Sequence, residues 1–195
     1  MMHIFDIYPT EDVKIEDPSL RRYINIDAKL VVKTHGRARE RFGKAKVNVI
    51  ERLVNELSVP GHRAKKHKIM TKATGKFFKQ VKVIIKAFGI IKEKTKQNPV
   101  QVFVKAIENS APCDEVTVIE YGGARYPQAV DCSPARRLSL ALRNIVHGAY
   151  EKSFQKKKKN FEALADEIMQ AAEKSNESYA ILRRNESEKQ ASSAR

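Results

Sequence analysis

The stretch PCDEVTVIEYGGARYPQAVDCSPARRLSLALR, residues 112–143, decides how the chain is read. Pro112 stops a preceding helix. Two short runs rich in β-branched and aromatic residues follow, Val116 to Tyr121 and Ala124 to Val130. Gly122-Gly123 separates them, and a two-residue Gly-Gly link signals a type I′ hairpin because both positions need φ > 0. That turn sets a register in which Tyr121 faces Ala124, Glu120 faces Arg125, Ile119 faces Tyr126 and Val118 faces Pro127. Pairs flanking such a turn alternate, hydrogen-bonded first, so Val118/Pro127 is a non-hydrogen-bonded pair. Pro127 therefore costs no ladder bond. Beyond the ribbon, Ser133-Pro134 reads as N-cap and first helical residue. At about 100° per residue, Leu138, Leu142, Ile145 and Ala149 fall on one stripe, with Arg136, Arg143 and His147 on the other side. An isolated two-stranded ribbon is marginal in water, so the helical body or a partner must support it.

Working outward, the same 3-and-4 spacing marks further helices. Val47, Ile50, Leu53, Val54 and Leu57 define one near Asn48. Phe77, Val81, Ile84, Phe88 and Ile91 define another from Lys76, with Lys79, Lys82 and Lys86 on its reverse face. Asn98-Pro99 opens a third, buried through Val100, Phe103, Val104 and Ile107. After the hairpin and its helix, Asn160 is the expected N-cap of a helix whose apolar face is Phe161, Leu164, Ala165, Ile168 and Ala172. A helix-permissive segment follows from Tyr179. After Leu182 it is nearly all polar, and such a tail is expected to fray unless a partner orders it. The fold class is thus mainly α: one helical domain of about six helices with a single protruding β-hairpin. The boundaries read as an N-terminal arm at 1–33, a body at 34–182 with its hairpin at 115–130, and a polar tail at 183–195. Residues 58–75 read as a basic, Pro/Gly-punctuated loop.

Composition narrows the function. Thirty-eight Lys+Arg against 23 Asp+Glu leave a net charge of +15 over 195 residues. That excess clusters, and clustered cations point to a polyanion. Arg37, Arg39, Arg41, Lys44 and Lys46 crowd around Phe42 in a glycine-broken loop, the pattern of a phosphate-gripping and stacking element. Lys156, Lys157, Lys158 and Lys159 precede a helix N-terminus, where they oppose the macrodipole. A local cost without a local gain suggests an external anion. By contrast Asp6, Glu11, Asp12, Glu16 and Asp17 make the arm's first half acidic, and it is expected to be exposed and off the polyanion.

Other classes find little support. No run of about 18 apolar residues suggests a membrane span. The N-terminus lacks the pattern of a signal peptide, and an intracellular chain is expected. Cys113 and Cys132 form no CxxC, and His62 and His67 lie five apart without thiol or carboxylate neighbours, so no metal is expected. Extending the hairpin register puts the two cysteines opposite each other. A bridge is geometrically open, but a hydrogen-bonded pair position and a reducing compartment favour free thiols. No Walker loop, GxGxxG, HExxH or Ser/His/Asp spacing occurs, so neither a cofactor nor catalysis is expected. A DNA-binding helix-turn-helix protein and an RNA-modifying enzyme are the rival classes. The first normally shows a compact recognition helix with dimer symmetry, and the second needs a general base, metal or cofactor loop.

Six segments carry a resemblance: HGRARERFGKAKVNVIERL from His35, TGKFFKQVKVIIKAF from Thr74, TKQNPVQVFVKAIENSAP from Thr95, YGGARYPQAVDCSPARRLSLALR from Tyr121, EALADEI from Glu162 and SYAILRR from Ser178. In order and spacing they resemble the small-subunit ribosomal protein S-seven family in its archaeal and eukaryotic cytosolic form, from about Pro18 to Arg195. The resemblance implies a structural constituent of the small subunit and a primary binder of the rRNA 3′ major domain that nucleates head assembly. It implies as neighbours other head proteins, the platform protein S-eleven, and exit-site tRNA with outgoing mRNA beside the ribbon. By position it carries rRNA contact onto Arg37, Arg39, Arg41, Lys44, Lys46, Lys76, Arg125, Arg136, Arg137 and Arg143. The basic residues Lys79, Lys156 to Lys159, Arg183 and Arg184 complete the expected RNA-binding set. Asn144 stands where the family usually has an aromatic, and loop 58–75 is more basic than the family pattern.

Overall fold

A computed structural model of the chain describes residues 3–5, 7–27, 40–59, 62–63, 66–67 and 75–195. Among these residues, six α-helices carry the fold: α1 (Val49–Ser58), α2 (Phe77–Thr95), α3 (Pro99–Ser110), α4 (Pro134–Ser153), α5 (Asn160–Ala172) and α6 (Tyr179–Ser193). Three antiparallel strand pairs accompany them among the described residues. β1 (His3–Ile4) pairs with β2 (Tyr8–Pro9), β3 (His62–Arg63) with β4 (Lys66–His67), and β5 (Asp114–Tyr121) with β6 (Ala124–Asp131). The first two pairs were not expected from periodicity, because two-residue strands carry no period.

The helix starts follow their caps. Asn48 and Asn98 each accept a hydrogen bond from the backbone N–H two residues on, at 2.9 and 3.0 Å, the usual N-cap geometry. Ser133 occupies the N-cap of α4, but its side chain makes no cap bond. α5 is capped one residue earlier than expected. Lys159 is its N-cap, and the Glu162 carboxylate accepts from the Lys159 N–H at 3.1 Å.

α5 sits centrally, packed against α2, α3 and α4 and touched by α6. Ile84, Phe88 and Ile91 of α2, Phe103 and Ile107 of α3, Leu138, Leu142 and Ile145 of α4, and Leu164 and Ile168 of α5 are fully enclosed in one cluster. Val81 and Phe161 pack at its edge, half-buried; Val47, also half-buried, precedes α1. The N-terminal arm joins the same core through Ile4, Tyr8, Leu20 and Ile24. Tyr8 meets Phe88 edge-on at 5.8 Å. Glu11, Asp12 and Glu16 are exposed as expected. Asp17 is not: its carboxylate is tied to Ser19 and Arg137.

The hairpin has the expected register, from Tyr121↔Ala124 to Val118↔Pro127, and runs one residue further at each end. Gly122 and Gly123 both have positive φ, +56° and +82°. Cys113 and Cys132 carry free thiols, and the Cys132 N–H donates to the Cys113 carbonyl at 2.7 Å. The polar tail departs from expectation. α6 runs through it to Ser193, burying Ala191 and propping the ribbon. Ser187 donates to the Asp114 carbonyl at 3.3 Å, the Cys113 N–H donates to Glu188 at 3.1 Å, and Arg195 pairs with Asp114 at 2.8 Å. The polarity of the segment hides this, because its anchors are mostly hydrogen bonds and ion pairs.

Candidate nucleic-acid interface

The expected cations fall into separate patches. The first is the turn before α1. Phe42 has a left-handed backbone and is 63% exposed, with the Arg41 guanidinium 5.2 Å from its ring centre. Lys44 is exposed beside it, and Lys46 pairs with Glu40 at 3.1 Å. Arg37 and Arg39 lie outside the described residues.

The second patch is built from α2, the end of α4 and the start of α5. Lys76 and Lys79 are exposed at the first turn of α2, next to Phe78, which is 75% exposed. Lys79, Lys156, Lys157, Lys158 and Lys159 line a common cleft floored by Gln80, Tyr150 and Phe161. The side chains of Lys86 and Lys159 lie 5.5 and 5.8 Å from the Phe161 ring centre. Of the four-lysine run, Lys158 is neutralised internally by Asp166, which also takes Lys94 at 3.0 Å. Burial pushes the Asp166 carboxyl up, but hydrogen bonds and charge from Lys158 and Lys94 outweigh it and hold it below its ordinary value. The macrodipole conflict is thus partly relieved from within, by Asp166 and by the Glu162 cap.

The third patch surrounds the ribbon. Arg125 lies near its tip, 3.6 Å from Glu120 across the strands. Arg136 pairs with Glu115 at 2.5 Å, a hydrogen bond that raises its pKa further. Its neighbour Arg137 turns inward, only 12% exposed in its side chain. It donates to the Pro112 carbonyl, the Ser19 hydroxyl and Asp17, locking the arm to the ribbon's base. Arg143, one face away on α4, is exposed. On α6, Arg183 is engaged by Tyr179 and Glu186, and Arg184 by Glu188 and the Asn109 carbonyl.

The geometry therefore sorts the expected set. Arg41, Lys44, Lys76, Lys79, Arg143, Lys156 and Lys157 have no ion-pair partner among the described residues. Arg137, and to a lesser degree Lys158 and Arg184, are committed to the protein itself. Reading by periodicity missed Phe78, although its place off the Phe77–Ile84 stripe marks it as outward-facing. It also missed Gln80, an uncharged polar residue between Lys79 and Val81 whose burial only the packing around α2 reveals.

The family described as Ribosomal protein S7p/S5e matches residues 20–195. The chain belongs to this family. A "small ribosomal subunit protein uS7" of Nanoarchaeum equitans is 53% identical, covering all of this chain and 99% of that protein. Proteins of the same name from Thermoplasma volcanium and Methanothermobacter thermautotrophicus are 44% and 43% identical over 98% and 100% of this chain and the full length of each relative. Membership in the S7p/S5e family carries a structural, non-enzymatic role in the ribosome. Among the described residues no helix is long and apolar enough to cross a membrane.

Proposed function

We propose that this chain is a primary binder of small-subunit rRNA, holding the 3′ major domain and nucleating assembly of the head. The observation that supports this most is the separation of its unpaired cations. Arg41 and Lys44 with exposed Phe42, Lys76 and Lys79 with exposed Phe78, and Arg143 stand on different elements of one packed body. Folded RNA is recognised by shape, phosphate and 2′-OH contacts, with aromatic stacking on unpaired bases. Several cationic patches on a rigid helical body can grip separate RNA helices and set the angle between them. No bond is made or broken; the protein acts as a clamp.

The ribbon supports the remainder of the reading. Its outer half exposes Val118, Ile119, Tyr121 and Tyr126, with Tyr121 81% exposed. An apolar ribbon standing in solvent suits contact with neighbours, which we take to be head proteins and the platform protein S-eleven, close to exit-site tRNA and the outgoing mRNA. Inward-turned Arg137 acts here by positioning the ribbon's base, while Arg125 and Arg136 face outward.

Protection mapping of naked small-subunit rRNA tests the proposal. Footprints should cluster in the 3′ major domain. If about 6–10 phosphates are contacted, affinity should fall by roughly 10³–10⁵ between 50 and 200 mM salt. Equal affinity for duplex DNA at the same salt, or no footprint, would refute it.

A further inference from the structure

We infer that the cleft between α2, the end of α4 and the start of α5 is a seat for one unstacked nucleotide, its base bearing an exocyclic amino group, extruded from the bound rRNA. The inference rests on the rRNA-binding reading and adds a base-reading site to it. The cleft measures about 330 Å³, within the range of small-ligand sites, about 300–1,000 Å³. Gln80 is 3% exposed, and its side-chain oxygen has no hydrogen-bond partner. The side-chain oxygen of Asn160, on the same cleft, is also buried and unpartnered. Buried polar groups are rarely left unpaired, and an orphaned acceptor is destabilising. Two orphaned acceptors in one cleft call for a ligand that donates N–H groups.

The surroundings specify the rest of that ligand. Lys79, Lys156 and Lys157 stand at the rim without ion-pair partners among the described residues, which suits flanking phosphates. Val83 and Phe161 supply an apolar wall. A ligand with N–H donors, a flat apolar body and an anionic backbone is a nucleotide bearing an exocyclic amino group. Adenine, cytosine and guanine present such a group on the Watson–Crick edge, guanine with a ring N–H beside it, whereas uracil does not; that edge is free only when the base is unpaired. Gln80 would then read the base and the lysines would position its strand, the usual division between base and phosphate contacts.

Gln80→Met and Asn160→Ala, singly and together, test the site in the full-length chain bound to small-subunit rRNA. Three measurements are needed: binding across a salt series, Watson–Crick-edge reactivity (dimethyl sulfate for adenines and cytosines, kethoxal for guanines), and the backbone footprint. Gln80→Met should bind about tenfold more weakly with an unchanged salt slope, because no phosphate contact is lost. One adenine, cytosine or guanine protected by the native chain should become reactive, while the backbone footprint persists. The melting temperature of Gln80→Met should not fall, since it removes an unpaired acceptor. A double variant that binds rRNA with native affinity and an unaltered base-reactivity pattern would overturn the inference while leaving the rRNA-binding reading intact. Failure of the native chain to bind rRNA would overturn both. Saturable binding of free AMP, CMP or GMP to the chain without RNA, abolished by Gln80→Met, would assign the cleft to free nucleotides and refute an rRNA base.

Discussion

Single residues hold the bundle at points where a small change has a large effect. Glu167 is fully buried and serves three elements at once. It accepts from the Ser178 hydroxyl at 2.8 Å and the Ala180 N–H at 3.0 Å at the start of α6, and it pairs with Lys152 of α4 at 2.6 Å. Gly148 makes room for it: a Cβ there would lie 2.5 Å from the Glu167 carboxyl carbon. Gly148→Ala should therefore destabilise by about 1–3 kcal/mol, read as a lower urea midpoint with unchanged m-value. The cysteines differ as sharply. Burial, then the charge and hydrogen bond of Glu115, push the Cys132 thiol up to about 11, so at pH 8 it is protonated and poorly nucleophilic. Iodoacetamide on the native chain should label exposed Cys113 and spare Cys132, as peptide mass spectrometry would show. Asp17 gives a pH signature. Burial raises its pKa, but hydrogen bonds from Ser19 and the nearby Arg137 guanidinium outweigh that and leave it below 3.8. A depressed carboxylate contributes stability above its unfolded pKa and loses it as pH falls through the folded value. Native and Asp17→Asn melting temperatures should accordingly differ at pH 6 and converge as pH drops below about 4; a constant gap would contradict the assignment.

At the scale of elements, the ribbon and α6 depend on each other. A lone hairpin is marginal in water, and the structure shows what steadies this one. Glu188 and Ser187 of α6, with Arg195 just past its end, hold Cys113 and Asp114 at the start of the first strand, and Arg136 holds Glu115 from α4. Deleting residues 185–195 should leave the other helices in place, because their cluster draws on α6 only through Ala180 and Ile181. It should abolish hydrogen-exchange protection along β5, while amides of α3 and α5 keep theirs. Protection retained in β5 would mean the ribbon stands without its prop.

For the whole molecule, charge and core occupy different surfaces, so binding and stability can be separated. Arg136→Ala combined with Arg143→Ala should weaken rRNA binding markedly in a filter or gel-shift assay. The melting temperature should move little: the Arg136–Glu115 pair is more than half exposed on the arginine side, and such pairs contribute at most about 1 kcal/mol. A large drop in stability would place these arginines in the core and contradict their exposure.

Periodicity and turn chemistry alone determined the helices, the hairpin and its register. The 3-and-4 stripes of α2 to α5 and the Gly122-Gly123 link are local signals that need no knowledge of neighbours. Clustered charge likewise marked the patches around Phe42 and Lys156. Only the tertiary structure decided which cations are available. Arg136 and Arg137 are adjacent and chemically alike, yet one faces outward and the other is spent on Asp17, Ser19 and Pro112. Their partners lie up to 120 residues away, beyond any local pattern. The same holds for the short β1–β2 pair, the docked arm and the ordered tail, which owe their order to contacts distant in sequence. Gln80 makes the point most clearly: its unpaired oxygen arises only where α2, α4 and α5 meet.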